Sequence, residues 1–282
     1  MPTYTQGGRF GAVNGVVALS KWGVNQTSSP VVYRNSATGR LPGRSHAPSS
    51  WSGTMSIDGC SPAAMPADII AFSGYGYPNS GVAGTVGLLH SGNAIIDSLN
   101  MSFDYKTNKP VSYTLAFSGA NALTISDVGV AIPVTGNYVP FEMCGNPILF
   151  RESTETTAAV AIDSVTTATL NITASNGKVT NSSTGCRIDT KPGVADINLS
   201  IAVETGNRQL TIGNLYEITI PSAPNSWVIK WVRLKAFTNL TVDISTGAIV
   251  GQTMEFEFSR VLNAGTATLG SVTLPSGVAW AI

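Results

Sequence analysis

The stretch NMSFDYKTNKPVSYTLAF, Asn100 to Phe117, indicates most directly how this chain folds. Apolar and polar side chains alternate before the turn-like segment 107–110, and the alternation resumes after it. A period of two residues predicts β-strands, because successive side chains of a strand point to opposite faces. The stretch therefore predicts a hairpin with one apolar face. The apolar positions are Met101, Phe103, Tyr105, Val111, Tyr113, Leu115 and Phe117.

Similar short runs recur along the chain, rich in Val, Ile, Thr, Phe and Tyr and separated by Gly, Pro, Asn and Ser. They predict a fold dominated by β-strands. One short flanking helix is expected over Pro62 to Phe72, PAAMPADIIAF. Proline is compatible with the first turn of a helix, and the Ala, Met and Ile residues supply an apolar stripe.

The chain also shows internal similarity, which is the sign of a repeated fold. Offsets of 146 and 139 residues superpose three segments of the first half on three segments of the second, in the same order. Repetition predicts two tandem β-domains over 1–127 and 155–282, joined by an extended, proline-punctuated linker over 128–154. Chance agreement in a chain rich in Ser, Thr and Asn is the alternative. The paired segments are 24–39 with 170–185, 51–58 with 197–204, and 100–117 with 239–256.

The composition favours a protein that associates with other chains. Of the 282 residues, 43% are hydrophobic, so each half is expected to bury a core. Only 11% are charged, against about 25% in an average soluble domain. The formal net charge is zero, and low repulsion favours association. The arginines between 34 and 44 are separated by Gly and Pro, which indicates a loop and not a nucleic-acid-binding patch.

No pattern in the sequence indicates catalysis, and we expect no catalytic residues, no metal, no cofactor and no enzyme activity. The two histidines, His46 and His90, have no neighbouring metal-binding or catalytic partner, and no metal-binding or nucleotide-binding motif occurs. Cys60, Cys144 and Cys186 are widely spaced, and we interpret them as free thiols of a protein made in a reducing cytoplasm. Neither a signal peptide nor a long apolar run is seen, so no membrane association is expected.

The elements of the first half follow a definite order. A first strand, VVALSKWGV, precedes a long polar loop, YRNSATGRLPGRSHAPS, and a strand that returns on Trp51, WSGTMSID. The expected helix and the closing hairpin follow, and this order resembles that of the tail tube protein family of long-tailed bacteriophages. The resemblance covers the first half well and the second more weakly, where Ile197 stands at the position of Trp51. It implies a β-sandwich whose copies join edge to edge into a ring with an inner barrel, here in a tandem duplicated form.

The resemblance also implies a function and partners. The chain would form stacked rings of a tail tube, the conduit through which the genome is ejected into the host. Six folds per ring and two folds per chain imply three chains per ring. Expected partners are copies of the chain itself, tape-measure, tail terminator and baseplate proteins, and passing double-stranded DNA without sequence-specific binding. The expected location is the virion tail, after assembly in the host cytoplasm.

Two sets of site residues follow from this interpretation. The polar positions of the two closing hairpins are expected to line the lumen, while the opposite apolar positions, including Leu240, Val242 and Ile244, face the core. The long loop 34–50 is expected to contact the next ring, since loops of this length are usually functional. The lumen candidates are Asn100, Ser102, Asp104, Asn239, Thr241 and Asp243; the inter-ring candidates are Arg34, Arg40, Arg44 and His46.

Two other functions remain open at this point. The second half could be an immunoglobulin-like domain that decorates the outside of a tube built from the first half alone. Alternatively, the chain could be a carbohydrate-binding or adhesive β-sandwich protein, which would require exposed aromatic residues or a calcium loop. Trp227 and Trp231 instead alternate in the manner of residues in the core of a strand.

Overall fold

The structure is a computed structural model of the chain. The residues that it describes contain strands and turns and no helix, so none of them belongs to a helix that could span a membrane. They are residues 11–14, 17–28, 32–33, 43–44, 49–58, 64–76, 87–107, 111–128, 146–152, 155, 157–181, 187–204, 210–221, 226–258, 261–263, 266–268, 271–273 and 279–280.

The strands fall into two series along the chain. Those of the first half are β1 (Gly11–Val13), β2 (Val17–Ala18), β3 (Lys21–Ser28), β4 (Val32–Tyr33), β5 (Gly43–Arg44), β6 (Ser49–Asp58), β7 (Ile69–Gly76), β8 (Gly87–Asp104), β9 (Ser112–Gly119) and β10 (Thr124–Val128). Those of the second half are β11 (Leu149–Glu152), β12 (Val160–Ala161), β13 (Val165–Ala174), β14 (Gly177–Asn181), β15 (Arg187–Lys191), β16 (Ala195–Val203), β17 (Leu215–Ile220), β18 (Trp227–Val242), β19 (Ile249–Phe258), β20 (Val261–Asn263), β21 (Thr266–Thr268), β22 (Ser271–Thr273) and β23 (Ala279–Trp280).

The first half forms two layers that share one long strand. One layer has the order β2-β1-β7-β8-β10 and the other has the order β3-β6-β9-β8, with antiparallel neighbours throughout. β8 is 18 residues long and contributes its first part to one layer and its second part to the other. Its ladder with β9 is irregular between Ile96 and Ser98. Such a bulge bends a strand and increases its twist, which suits a strand that changes layers.

The second half repeats this order of pairing. Its layers are β12-β11-β17-β18-β22 and β13-β16-β19-β18, again antiparallel. Even the register recurs: Val24 pairs with Gly53 in the first half, and 146 residues further on Leu170 pairs with Leu199. The strand shared by both layers is now β18, 16 residues long, and its ladder with β19 is irregular just after Leu234.

Aromatic side chains pack the two layers of each half face to face. Phe72 on β7 lies 6.2 Å from Trp51 on β6 and 5.0 Å from Phe117 on β9, measured between ring centroids. In the second half, Tyr216 on β17 lies 6.2 Å from Phe256 on β19. Since β7 and β17 do not pair with the strands that they face, these contacts cross between layers. The architecture is therefore all-β and sandwich-like.

The two halves are joined edge to edge by the antiparallel pairing of β8 with β13. This pairing joins the layer β3-β6-β9-β8 of the first half to the layer β13-β16-β19-β18 of the second. The result is one run of eight strands in the order β3-β6-β9-β8-β13-β16-β19-β18. We call this run the inner sheet. Strand β15 adds a single parallel contact, Arg187 with Ser49 of β6.

The helix expected over 62–72 is wrong for the described part of that range. Residues 64–68 form a turn in which Ala67 adopts a left-handed φ of 72°, and β7 begins at Ile69. Within β7, Ile70 and Phe72 are buried while Ile69 is exposed. This two-residue period is that of a strand, and the left-handed residue ends any helix.

The range expected to be a linker also contains strand. Leu149–Glu152 forms β11, which pairs with both β12 and β17 in the second half. Ile148, just before it, is buried in the core. The strands of the second half therefore begin before residue 155, while 129–145 lie outside the described residues.

Candidate functional site

The inner sheet has an apolar face against the core and a second face, which we call the polar face, made of the alternate side chains. At one level of the sheet, neighbouring strands carry Thr114, Asn100, Asn171, Asn198 and Glu257 side by side. Rows of Ser, Thr and Asn lie above and below this level on the same face. The alternation along each strand places all these groups on one surface.

Two lumen candidates of the first hairpin, Asn100 and Ser102, lie on the polar face within the strand ladders. Asn100 pairs with Thr114 on one side and Asn171 on the other, and Ser102 pairs with Ser112 and Thr169. Both side chains are exposed, whereas their neighbours on the opposite face are buried. The structure thus confirms the alternation predicted for this hairpin.

Asp104 and Asp243 stabilise the turns of the two hairpins in the same way. The Oδ1 atom of Asp104 accepts hydrogen bonds from the backbone N–H groups of Lys106, at 3.1 Å, and Thr107, at 3.0 Å. Asp243 Oδ1 accepts from the backbone N–H of Ser245 at 2.9 Å and from its hydroxyl at 2.7 Å. The Ser245 hydroxyl and backbone bonds lower the pKa of the Asp243 carboxyl. These carboxylates therefore have a structural role in addition to facing solvent.

The remaining two candidates of the second hairpin differ from each other. Thr241 pairs with Gly251, which places it at the position that Ser102 has in the first hairpin. Asn239 is not the counterpart of Asn100. The ladder of β18 with β19 is irregular here, and Asn239 adopts a left-handed φ of 54° while Thr238 takes the paired position opposite Thr253.

The apolar side of the second hairpin is not in the core, which corrects the expectation for these residues. Leu240 is 57% exposed, Val242 46% and Ile244 97%. Their counterparts in the first hairpin, Met101 and Phe103, are fully buried. The two hairpins therefore share the alternation but not the burial, and the second presents unburied apolar surface.

Carboxylates of the polar face lie on four of its eight strands, β6, β8, β16 and β19. Glu257 contacts Arg233 and also lies 3.9 Å from the Nζ atom of Lys235. Glu204 accepts a hydrogen bond of 2.7 Å from Lys106, and this bond is the largest cause of a raised Lys106 pKa. Further carboxylates on the face are Asp58, Asp196 and Glu255. Together with the hydroxyls, the amides and the basic groups, they make the face hydrated, with carboxylates outnumbering Lys and Arg and several of them held in ion pairs.

A contact between the halves that the sequence did not reveal centres on Asn176. Its Nδ2 atom donates to the backbone oxygen of Ile96, at 3.0 Å, and to Asp97 Oδ1, at 2.8 Å. Its Oδ1 atom accepts from the Gly193 N–H at 3.0 Å. Asp97 is the residue that the bulge of β8 leaves unpaired with β9, and Ser118 donates to its other oxygen at 2.6 Å. Asn176 lies in the two-residue connection between β13 and β14, and the Asn-Gly pair that it begins indicates a change of chain direction but not a contact between the halves.

Most of the inter-ring candidates lie outside the described residues, namely Arg34, Arg40 and His46. Arg44 lies in β5, whose backbone pairs with β4 through Val32. The cysteines at 60, 144 and 186 are also outside the described residues.

The described residues include no cluster of His, Cys, Asp and Glu suited to a metal ion. His90 packs 5.5 Å from the ring of Trp22, and its buried Nδ1 atom has no hydrogen-bond partner in the described part of the chain. Trp227 is buried, as its alternation predicted, but Trp231 adopts a left-handed φ of 64° and is partly exposed.

These features define a class: an all-β, sandwich-like protein whose two halves share one large antiparallel sheet. Comparison of the chain with protein-family models found no match, and a search of curated protein sequences found none. The function must therefore be argued from the inner sheet itself.

Proposed function

We propose that this chain is a structural subunit of a tube, similar to the tail tube proteins of long-tailed bacteriophages, and that it has no catalytic activity. Copies of the chain form rings, the rings stack, and the bore carries the phage genome into the host. Tape-measure, terminator and baseplate proteins would be its partners in the virion tail. The observation that carries this proposal is the inner sheet, which crosses from one half of the chain to the other without interruption.

The inner sheet has the features needed to form part of a barrel wall. Each half contributes four strands in the same order, so the sheet can be extended by repetition of one unit. One face is covered by the second layer and the other is polar. Closing such a sheet around an axis removes the two edges, which otherwise invite uncontrolled pairing.

Three chains would complete one ring of six repeated units. Head-to-tail contacts close into a ring when the rotation per unit divides the circle. In this arrangement the junctions within a chain alternate with junctions between chains. Covalent linkage of two units raises their effective concentration and favours closure.

The polar face would line the bore. A hydrated wall on which carboxylates outnumber basic groups repels phosphates. Lys106, Arg233 and Lys235 are paired with carboxylates there, which leaves less positive charge to bind DNA through counterion release. Asn100, Ser102 and Thr241 would then contact solvent in the lumen, and Asp104 and Asp243 would add charge near the hairpin turns. The opposite layer, β2-β1-β7-β8-β10 and its counterpart, would face outward.

The test of this function is the assembly state of the purified protein. Negative-stain electron microscopy is expected to show rings or tubes, and native mass spectrometry of isolated rings is expected to give three chains. Six chains per ring would mean that the second half lies outside the wall as a decoration. A protein that stays monomeric across concentrations and salt conditions would contradict the proposal.

The loop 34–50 is proposed to connect stacked rings. Deletion of residues 37–47 is expected to leave rings intact and to prevent their stacking, because the described residues among them, Gly43 and Arg44 of β5, pair with β4 and not with the inner sheet. Tubes of normal length from this variant would remove the loop from the stacking contact.

A further inference from the structure

The junction between the two halves shows which strand edges of this fold fit each other. The second part of β8 pairs with β13 over seven residue pairs, from Thr167 opposite Asp104 to Thr173 opposite Ser98. Side chains on the core side of this junction are fully buried, among them Leu170 and Met101. The junction thus combines a backbone ladder with an apolar contact.

The same two edges occur a second time in the chain. β3 has the place in the first half that β13 has in the second, because both pair with the next strand of the inner sheet in the same register. β18 likewise has the place of β8, since both carry a bulge at the change of layers. In the described part of the chain, β3 pairs only with β6. Among the described residues, the part of β18 after Arg233 pairs only with β19.

The burial of side chains differs between the formed junction and these two edges. Leu240 and Val242 on β18 are 57% and 46% exposed, although Met101 and Phe103 at the matching places are buried. On β3, Trp22 and Val24 are only partly buried, whereas Ala168 and Leu170 of β13 are buried. Both edges therefore have apolar side chains uncovered where the formed junction covers them.

We propose that β3 of one chain pairs antiparallel with residues 236–243, the second part of β18 and the residue after it, in a second copy of the chain. The register follows from the junction within the chain. At the formed junction Thr169 lies opposite Ser102, so at the proposed contact we expect Gly23 opposite Thr241. In the same way, Leu170 lies opposite Met101, so we expect Val24 opposite Leu240. The contact buries the exposed apolar side chains and provides partners for both strand edges, so a second copy fits this surface.

The charges at one end of the predicted ladder are complementary. At the formed junction Thr167 lies opposite Asp104, and the matching residues at the proposed contact are Lys21 and Asp243. Lys21 is exposed, and the Asp243 carboxylate is fixed by its bonds to Ser245. Opposite charges directly across two strands stabilise the pair, so this end of the ladder favours the stated register over shifted ones.

This inference rests on the proposed function and deepens it. It names the residues that join one chain to the next in a ring of three chains. The contact is head-to-tail, since the two edges are different surfaces. The same edges could instead close on each other within one chain, and the experiment must separate these two outcomes.

The experiment uses the double variant Gly23→Cys/Thr241→Cys in a full-length chain with Cys60, Cys144 and Cys186 replaced by Ser. A side chain at residue 23 meets no atom within 4 Å, and Thr241 is exposed, so both substitutions fit the fold. Cross-strand neighbours lie within the range of a disulfide. Ser102→Cys/Thr169→Cys, at the formed junction, is the positive control and is expected to give a disulfide within the chain.

Mild oxidation is expected to link the Gly23→Cys/Thr241→Cys chains covalently into dimers and trimers on a non-reducing gel, and reductant is expected to separate them. Gly23→Cys/Leu240→Cys is the negative control, because a shift of one residue points the two side chains to opposite faces. Mass spectrometry of the linked peptides identifies whether residues 23 and 241 form the disulfide. If the Ser substitutions disturb folding, the same measurement is made in the chain that keeps its native cysteines.

The outcomes distinguish failure of the proposed interface from failure of the proposed function. Linked chains support the interface. A disulfide within a single chain, or equal linkage in the shifted control, overturns it. Rings or tubes in electron micrographs without this disulfide would leave the proposed function standing with a different contact. A monomer without linkage would contradict both.

Discussion

Asn176 donates a hydrogen bond of 2.8 Å to Asp97, and so ties a turn of the second half to the bulge where β8 changes layers. Residues on opposite sides of the junction, almost 80 positions apart in sequence, are thereby held together. The Asn176 side chain uses both of its polar atoms, since it also accepts from Gly193. The junction between the halves therefore depends on a side-chain network in addition to strand pairing.

Asn176→Ala should weaken the junction. It removes three hydrogen bonds and leaves the Gly193 N–H and the Asp97 oxygen without this partner, so a loss of about 1–3 kcal/mol in the free energy of unfolding is expected. Urea denaturation measures it. Asn198→Ala, on the exposed polar face, is the control and should change stability little. Equal effects of the two substitutions would show that Asn176 has no special role.

Gly247→Ala should destabilise the second hairpin through backbone conformation alone. Gly247 has a φ of 70°, and a side chain there would meet no atom within 4 Å. A left-handed conformation costs a non-glycine residue about 1–2 kcal/mol. Gly177→Ala is the matched control, because that site also has open space and has no left-handed φ. Thermal unfolding of both variants compares them, and an unchanged melting temperature for Gly247→Ala would contradict the expectation.

The stability of the turn before β7 should depend on pH through Asp68. Burial raises the pKa of this carboxyl, although its hydrogen bond from the Met65 N–H, at 2.8 Å, acts in the opposite direction. A raised pKa in the folded state means that protonated Asp68 favours folding. Its contribution to stability is present below the unfolded-state pKa of 3.8 and is lost as the pH rises through the folded-state value.

Asp68→Asn should therefore stabilise the protein at pH 7 relative to the wild type, and the difference should shrink towards pH 3. The amide oxygen can still accept from Met65. Urea titrations at several pH values measure the difference, with the exposed Asp127→Asn as control. A gain at pH 7 that persists unchanged at pH 3 would rule out titration of Asp68 as its cause.

Positive charge on the polar face should make assembled tubes bind DNA. Ser102 and Thr169 are cross-strand neighbours on this face, so Ser102→Arg/Thr169→Arg places two guanidinium groups side by side. Binding should weaken steeply as salt increases. DNA held in the bore should also resist nuclease. Thr124→Arg/Ser126→Arg, on exposed positions of β10 in the other layer, should bind DNA that stays digestible. The reverse pattern of protection would place the polar face outside.

Alternation was sufficient to predict the strands of the first closing hairpin but not what covers its counterpart in the second half. Met101 and Phe103 are buried as their pattern predicted, whereas Leu240 and Val242 follow the same pattern and are exposed. A period of two residues tells which side chains share a face, and only the neighbouring strand decides whether that face is covered. In the first case the neighbouring strand is β13, which pairs with β8 and comes from the other half of the chain.

The segment 62–72, where a helix is expected, has the composition of a helix but, in its described part, the two-residue period of a strand. The segment is rich in Ala, Met and Ile, but Ile70 and Phe72 are buried at a spacing of two. The left-handed φ of Ala67 depends on the surrounding turn, where its N–H donates to the Ile96 oxygen at 2.8 Å. The sequence does not indicate a left-handed residue at position 67, because glycine is the residue expected in that conformation and the chain has alanine there.

The inner sheet has an even number of strands, and this number has a consequence for any assembly built from it. Because eight strands alternate in direction from β3 to β18, the two outer strands run in opposite senses. An identical copy can therefore add in antiparallel pairing without being turned over, and every copy in such an assembly points the same way. Any tube built through these edges is polar: its two ends are chemically different, and a molecule that enters at one end leaves through a surface unlike the one it met first.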